Sequence, residues 1–112
     1  MGIRIRVNSN RAEVVAAKNR AVQMALEAIG IQAEAHTVAN ITADGLVDTG
    51  NMRNSISHYA DDNTAYIGTP VEYAVYQELG TSRGVKAHHF LKRAITENKA
   101  QYQQIIERYL KG

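Results

Sequence analysis

Apolar and charged residues alternate at the start of the chain, where Ile3, Ile5 and Val7 are interleaved with Arg4 and Arg6. That period of two predicts a short, half-buried strand. Asn8, Ser9 and Asn10 follow, all residue types that cap helices. Residues 11–40 then turn alanine-rich, with Val15, Val22, Leu26, Ile29 and Ala33 recurring at helical spacing. One long helix is expected there, bent or broken at Gly30, where glycine lowers helix propensity by about 1 kcal/mol relative to alanine.

Residues 42–50 are rich in Thr, Asp and Gly and read as a loop, with a short helical turn over 51–54. Residues 55–60 alternate again, placing Ile56, His58 and Ala60 on one face. Asp61-Asp62-Asn63 supplies turn chemistry and residues 64–68 return as a second strand, which together predict a β-hairpin. Thr69-Pro70-Val71-Glu72 reads as a helix start, with Thr69 as cap, Pro70 in the first helical position and Glu72 closing a capping box. That helix should run to Leu79 and stop at Gly80 in a left-handed cap. Residues 82–87 form a loop. From His89 onward a stripe of Leu91, Ala94, Ile95, Asn98, Tyr102, Ile105 and Tyr109 predicts one last helix. The elements sum to a single α+β domain over residues 1–112. A small, mostly antiparallel sheet is expected to pack against a long N-terminal helix and a C-terminal helix.

Composition narrows the chemistry more than the fold. The 112 residues are 45% hydrophobic and 21% charged, the balance of an ordinary globular domain. Net charge is only +2, so the isoelectric point near 9.0 reflects a near-balanced chain and does not identify a nucleic-acid binder. With no cysteine, disulfides, thiol nucleophiles and cysteine-containing zinc sites are excluded. The start lacks the apolar run of a secretory signal, and no stretch is apolar enough to span a bilayer, so no membrane partner is expected.

Leu46-Val47-Asp48-Thr49-Gly50 resembles the surroundings of an aspartic-protease aspartate. A chain of this length could form half of a dimeric enzyme in which two carboxylates share a proton. Those enzymes are almost wholly β, however, whereas helical patterns flank this segment on both sides. Asn51 also replaces the small residue the motif prefers, and no glycine-rich flap is present. Capping of a helical turn by Asp48 and Thr49 explains the same residues. The four histidines, His36, His58, His88 and His89, have no metal-ligand spacing, since adjacent helical residues diverge by about 100°. No catalytic, metal or cofactor residue is therefore expected. Arg4, Arg6, Arg11, Lys18 and Arg20 could touch phosphate, which keeps a small DNA-binding module as an alternative, but Glu13, Glu27 and Glu34 dilute them. Tyr59, Tyr66, Tyr73 and Tyr76 cluster, and core packing is expected for at least half of them.

Three stretches taken in order resemble one family. Val47-Asp48-Thr49-Gly50-Asn51-Met52-Arg53-Asn54-Ser55-Ile56 is similar to its first motif. Ile67-Gly68-Thr69 followed by Glu72-Tyr73-Ala74-Val75-Tyr76-Gln77-Glu78-Leu79-Gly80-Thr81 is similar to its second, and Phe90-Leu91 with Ala94 to its third. The family is that of head–tail joining or tail-completion (neck) proteins of long-tailed, non-contractile phages. His89 and Arg93 stand where it favours proline, which should leave the start of the last helix less sharply defined.

The resemblance implies a non-enzymatic virion component of a phage or prophage, made in the host cytoplasm and built into the head–tail junction or tail end. It would act as a ring subunit, six copies by the symmetry of such tails. Its partners would be further copies, a head connector or adaptor, the tail tube, and DNA passing through the lumen without sequence-specific binding. The motif residues would then be architectural or interfacial: glycines setting turns, Asp48 capping, and Arg53 pairing with a carboxylate such as Glu78.

Overall fold

The structure, a computed structural model, describes residues 3–7, 10–46 and 49–111, the side chain of Thr49 excepted. Strand β1 (Arg4–Val7) forms where the alternation places it, with arginines out and Ile5 and Val7 half-buried. The next element departs from expectation. Arg11–Val15 is strand β2, antiparallel to β1 with Ile5 opposite Val14 and Arg6 opposite Glu13. Ala12 and Val14 are fully buried between two neighbouring strands. Tertiary pairing thus overrides the helical reading of an alanine–valine run.

Helix α1 (Arg20–Asp44) therefore starts at Arg20, and its cap is Asn19, whose Oδ1 accepts the Ala21 N–H at 2.8 Å. It passes Gly30 without a break and ends at Gly45, whose φ is 59°. Helix α2 (Thr49–Ser55) follows. The loop expected over 42–50 is thus shortened from both sides, and Asp48, its proposed cap, lies outside the described residues. Strands β3 (Ser57–Ala60) and β4 (Thr64–Gly68) form the hairpin as the alternation predicts. The Asp61 carboxylate closes its turn by accepting the N–H groups of Asn63 and Thr64.

Helix α3 (Glu72–Leu79) begins at Glu72, and Val71 is its cap position without a side-chain cap bond. The predicted capping box does not form. Thr69 instead accepts the Val71 N–H at 3.1 Å, and Glu72 accepts the Tyr76 hydroxyl at 2.9 Å. Gly80 ends the helix with φ 75° and ψ 174°, a positive φ as expected but not the left-handed helical cap.

The final helix is two, α4 (Phe90–Thr96) and α5 (Lys99–Lys111). Asn98 supplies the break: its side-chain amide donates to the Ala94 carbonyl at 2.9 Å while its own carbonyl accepts the Tyr102 N–H.

The sheet is antiparallel throughout, in the order β1-β2-β4-β3. One face is covered by α1 and α4, and α5 packs on α1. Ala12, Val14, Ala65 and Ile67 meet Leu26, Ile29, Phe90, Leu91 and Ile95 in one core, which Tyr102 and Ile106 extend along α1. The α+β architecture expected from the pattern is the one observed.

Candidate functional site

The three family-like stretches converge. Ser55, the last residue of α2, donates its hydroxyl to the Met52 carbonyl at 2.6 Å and lies 2.8 Å from the Thr69 hydroxyl. Because the Ser55 proton is committed to Met52, Thr69 is the donor between the two. The first stretch is thereby tied to the second.

Glu78 ties the second to the third. It is 1% exposed, and its carboxylate accepts the Leu91 N–H at 2.7 Å and the Lys92 N–H at 3.2 Å, in the first turn of α4. It thus serves as a helix cap delivered from another helix. Ala74 anchors the same helix in the core, and Phe90 and Leu91 are fully buried beneath it.

The sequence singles these residues out as motifs but does not show that they meet, and several expected roles are not observed. Arg53 does not pair with Glu78: its Nη1 donates to the Thr42 hydroxyl at 3.3 Å, while Glu78 is consumed by α4. Gly50 lies within α2 and sets no turn. Gly68 lies within β4, where a Cβ would come within 2.7 Å of the Asn10 carbonyl oxygen. Thr81 organises the following loop by accepting the Arg83 and Val85 N–H groups.

His89 adopts φ 50° and ψ 44°, and its N–H donates to the Glu78 carbonyl at 3.1 Å. Proline offers neither that φ nor that donor. Proline is therefore excluded at this position, and the helix start, expected to be less sharply defined, is fixed by Glu78.

The polar cluster that sequence spacing did not suggest is His58 on β3. Nε2 lies 3.0 Å from Glu27 Oε1 and Nδ1 lies 3.2 Å from Glu34 Oε1, both on α1. Burial lowers the His58 pKa, but hydrogen bonds and charge from the two glutamates outweigh it and raise the value above 6.5. The carboxylates sit on opposite sides of the ring, an arrangement that holds an imidazolium and does not converge on a metal. Gly30 makes room for it, since a Cβ there would lie 2.8 Å from the ring. Among the described residues no group of three or more His, Cys, Asp or Glu is placed to hold a metal ion. None of their helices is long and apolar enough to cross a membrane.

None of the four clustered tyrosines enters the core. Tyr59, Tyr73 and Tyr76 are exposed and Tyr66 is half-buried. Two apolar patches result elsewhere on the surface. Tyr73, Tyr76 and Leu79 line the outside of α3, with Val85 in the loop after it. Met24, on α1, and Tyr109, on α5, form an open cleft of about 780 Å³ with Arg20, Ala21 and Arg108.

The α3 patch lies toward the C-terminal end of α1. There Asp44 lies 3.6 Å from Nδ1 of His88, whose N–H donates to the Gln77 carbonyl of α3 at 2.9 Å. The cleft lies at the N-terminal end. At 1.5 Å per residue, Met24 and Asp44 are roughly 30 Å apart along the helix, in a molecule measuring 48 × 23 × 21 Å.

Comparison with protein-family models, with curated proteins and with solved structures gives no match.

Proposed function

We propose that this chain is a structural virion protein of a phage or prophage, a ring subunit that completes the tail or joins head to tail around the DNA channel. The observation that carries this reading is the pair of apolar patches at opposite ends of α1. A closed ring is built from heterologous contacts, in which one surface of a subunit meets a different surface of the next. Two unlike patches separated along the long axis, one convex on α3 and one concave between α1 and α5, are suited to that contact. Exposed tyrosine, methionine and leucine beside arginine have the composition of an interface core.

The resemblance supports the same reading. Its three stretches form one continuous brace through Ser55–Thr69 and Glu78–Leu91, which would hold a presented surface in place. Six copies and a DNA-filled lumen come with the family and belong to this proposal.

The test uses two variants of the full chain, Met24→Glu in the cleft and Tyr76→Glu on α3. Chemical crosslinking of the wild type with tail tubes present should give a ladder ending at a closed ring. Each variant alone should stop at the monomer. An equimolar mixture should stop at the dimer, because one intact cleft and one intact helix remain per pair. Full ladders from either variant, or a wild type that stays monomeric on tail tubes, would contradict the reading.

A further inference from the structure

The face of the sheet turned away from the helices carries a row that crosses all four strands. Arg6 stands opposite Glu13, Glu13 opposite Tyr66, and Tyr66 opposite Tyr59. At 4.7–4.9 Å per strand the row spans roughly 14 Å. Its members touch in sequence. Arg6 and Arg11 both reach Glu13 at 3.0 Å, the Arg11 guanidinium lies 5.4 Å from the Tyr66 ring centroid, and Tyr66 stacks on Tyr59 at 5.9 Å and 27°.

Glu13 cannot neutralise two guanidiniums, and Arg4 projects from the same face of β1, one pleat from Arg6. Asp61 adds a second carboxylate, accepting the Tyr66 hydroxyl at 3.2 Å, so three cations against two carboxylates leave the face with one net positive charge. At the far edge Tyr59 is 64% exposed.

A concavity of about 480 Å³ opens beside this row. The register accounts for it, because Arg11, Gly68 and Ser57 form the adjacent row. Its centre has no side chain and its edge only a small one, so the floor is low between the tyrosines and the Asn10–Thr69 rim. The site thus offers an exposed aromatic face, a polar rim and fixed guanidiniums within one short span.

From this combination we infer that the outer sheet face binds single-stranded nucleic acid. A base stacks on the exposed face of Tyr59, whose other side Tyr66 backs, beside the Gly68 floor, and Arg4, Arg6 and Arg11 take the flanking phosphates. Stacking platforms beside basic grooves bind single strands because an unpaired base exposes its π-face, whereas a duplex hides it. The inference needs only the monomer and does not rest on the ring reading.

The test is fluorescence anisotropy of the full chain with a labelled oligothymidylate of about 12 nucleotides. Binding should be saturable, tighter than to a duplex of equal length, and weakened as salt rises from about 50 to about 200 mM. Tyr59→Ala should weaken it about ten-fold and Tyr59→Phe should restore it. Arg4→Ala should weaken binding and flatten the salt dependence. Tyr59 and Arg4 are solvent-exposed, so a thermal melt should show both variants folded. Absence of binding at low salt, equal affinity for duplex or for base-free polyphosphate, or indifference to Tyr59→Ala would overturn the inference.

Discussion

At the scale of single residues, the decisive side chains are polar groups held where the core would otherwise exclude them. Glu78 is the clearest, with a buried carboxylate near the end of α3 that caps the start of α4. Glu78→Gln keeps the shape but sets an amide donor against a backbone N–H. The expected loss is about 2 kcal/mol of unfolding free energy in urea titration.

His58 gives a pH signature of definite sign. Its folded pKa lies above the ordinary 6.5, so its contribution is fully present below 6.5 and disappears as pH rises through the folded value. Wild type should therefore lose stability relative to His58→Gln as pH increases across that window. Gly30→Ala should remove the same pH dependence, because the added methyl would displace the ring. Below pH 6.5 the lost imidazolium contacts oppose the helix-propensity gain of about 1 kcal/mol. Above the folded value only the gain remains, so the variant should improve relative to wild type as pH rises. A Gly30→Ala protein that keeps the wild-type pH profile would exclude this account of the glycine.

At the scale of elements, local pattern was a good guide wherever alternation and tertiary pairing agree. β1, the β3–β4 hairpin and most of α1 were legible for that reason. β2 was not, because Ala12, Val14 and Val15 fit either period, and only the presence of β1 and β4 on its two sides decides for strand. The split between α4 and α5 was also hidden. Asn98 continues the helical spacing, yet its side chain takes the Ala94 carbonyl that also accepts the Tyr102 hydroxyl at 2.7 Å. Tyr102→Phe should cost about 1 kcal/mol, read in the same titration, since a second donor remains on that carbonyl.

The start of α4 depends on the backbone of His89. Proline forbids φ 50° and removes the donor to Glu78. His89→Pro should therefore destabilise by about 3 kcal/mol or more, while His89→Asn, which tolerates positive φ, should stay within about 1 kcal/mol of wild type. Equal melting of the two variants would contradict this geometry.

At the scale of the whole molecule, architecture was far more legible than site. The candidate residues were found in sequence as motifs, but most turned out to be internal ties: Ser55 to Thr69, and Glu78 to Leu91. Surfaces follow from exposure at positions far apart in sequence, such as Met24 with Tyr109 or Tyr59 with Arg11, and a linear pattern does not reveal them. The tyrosines show the difference. Their clustering was visible, yet their outward direction depends on the register of β3 with β4 and on which side of α3 the core occupies.

Together these surfaces are proposed to make the chain a ring subunit at the head–tail junction. Electron microscopy of particles produced with the chain deleted tests it most directly. The account predicts DNA-filled heads and full-length tails that remain separate or carry unfinished tail ends, restored by the wild-type chain but not by Met24→Glu or Tyr76→Glu. Normally joined, infectious particles without the chain would contradict it.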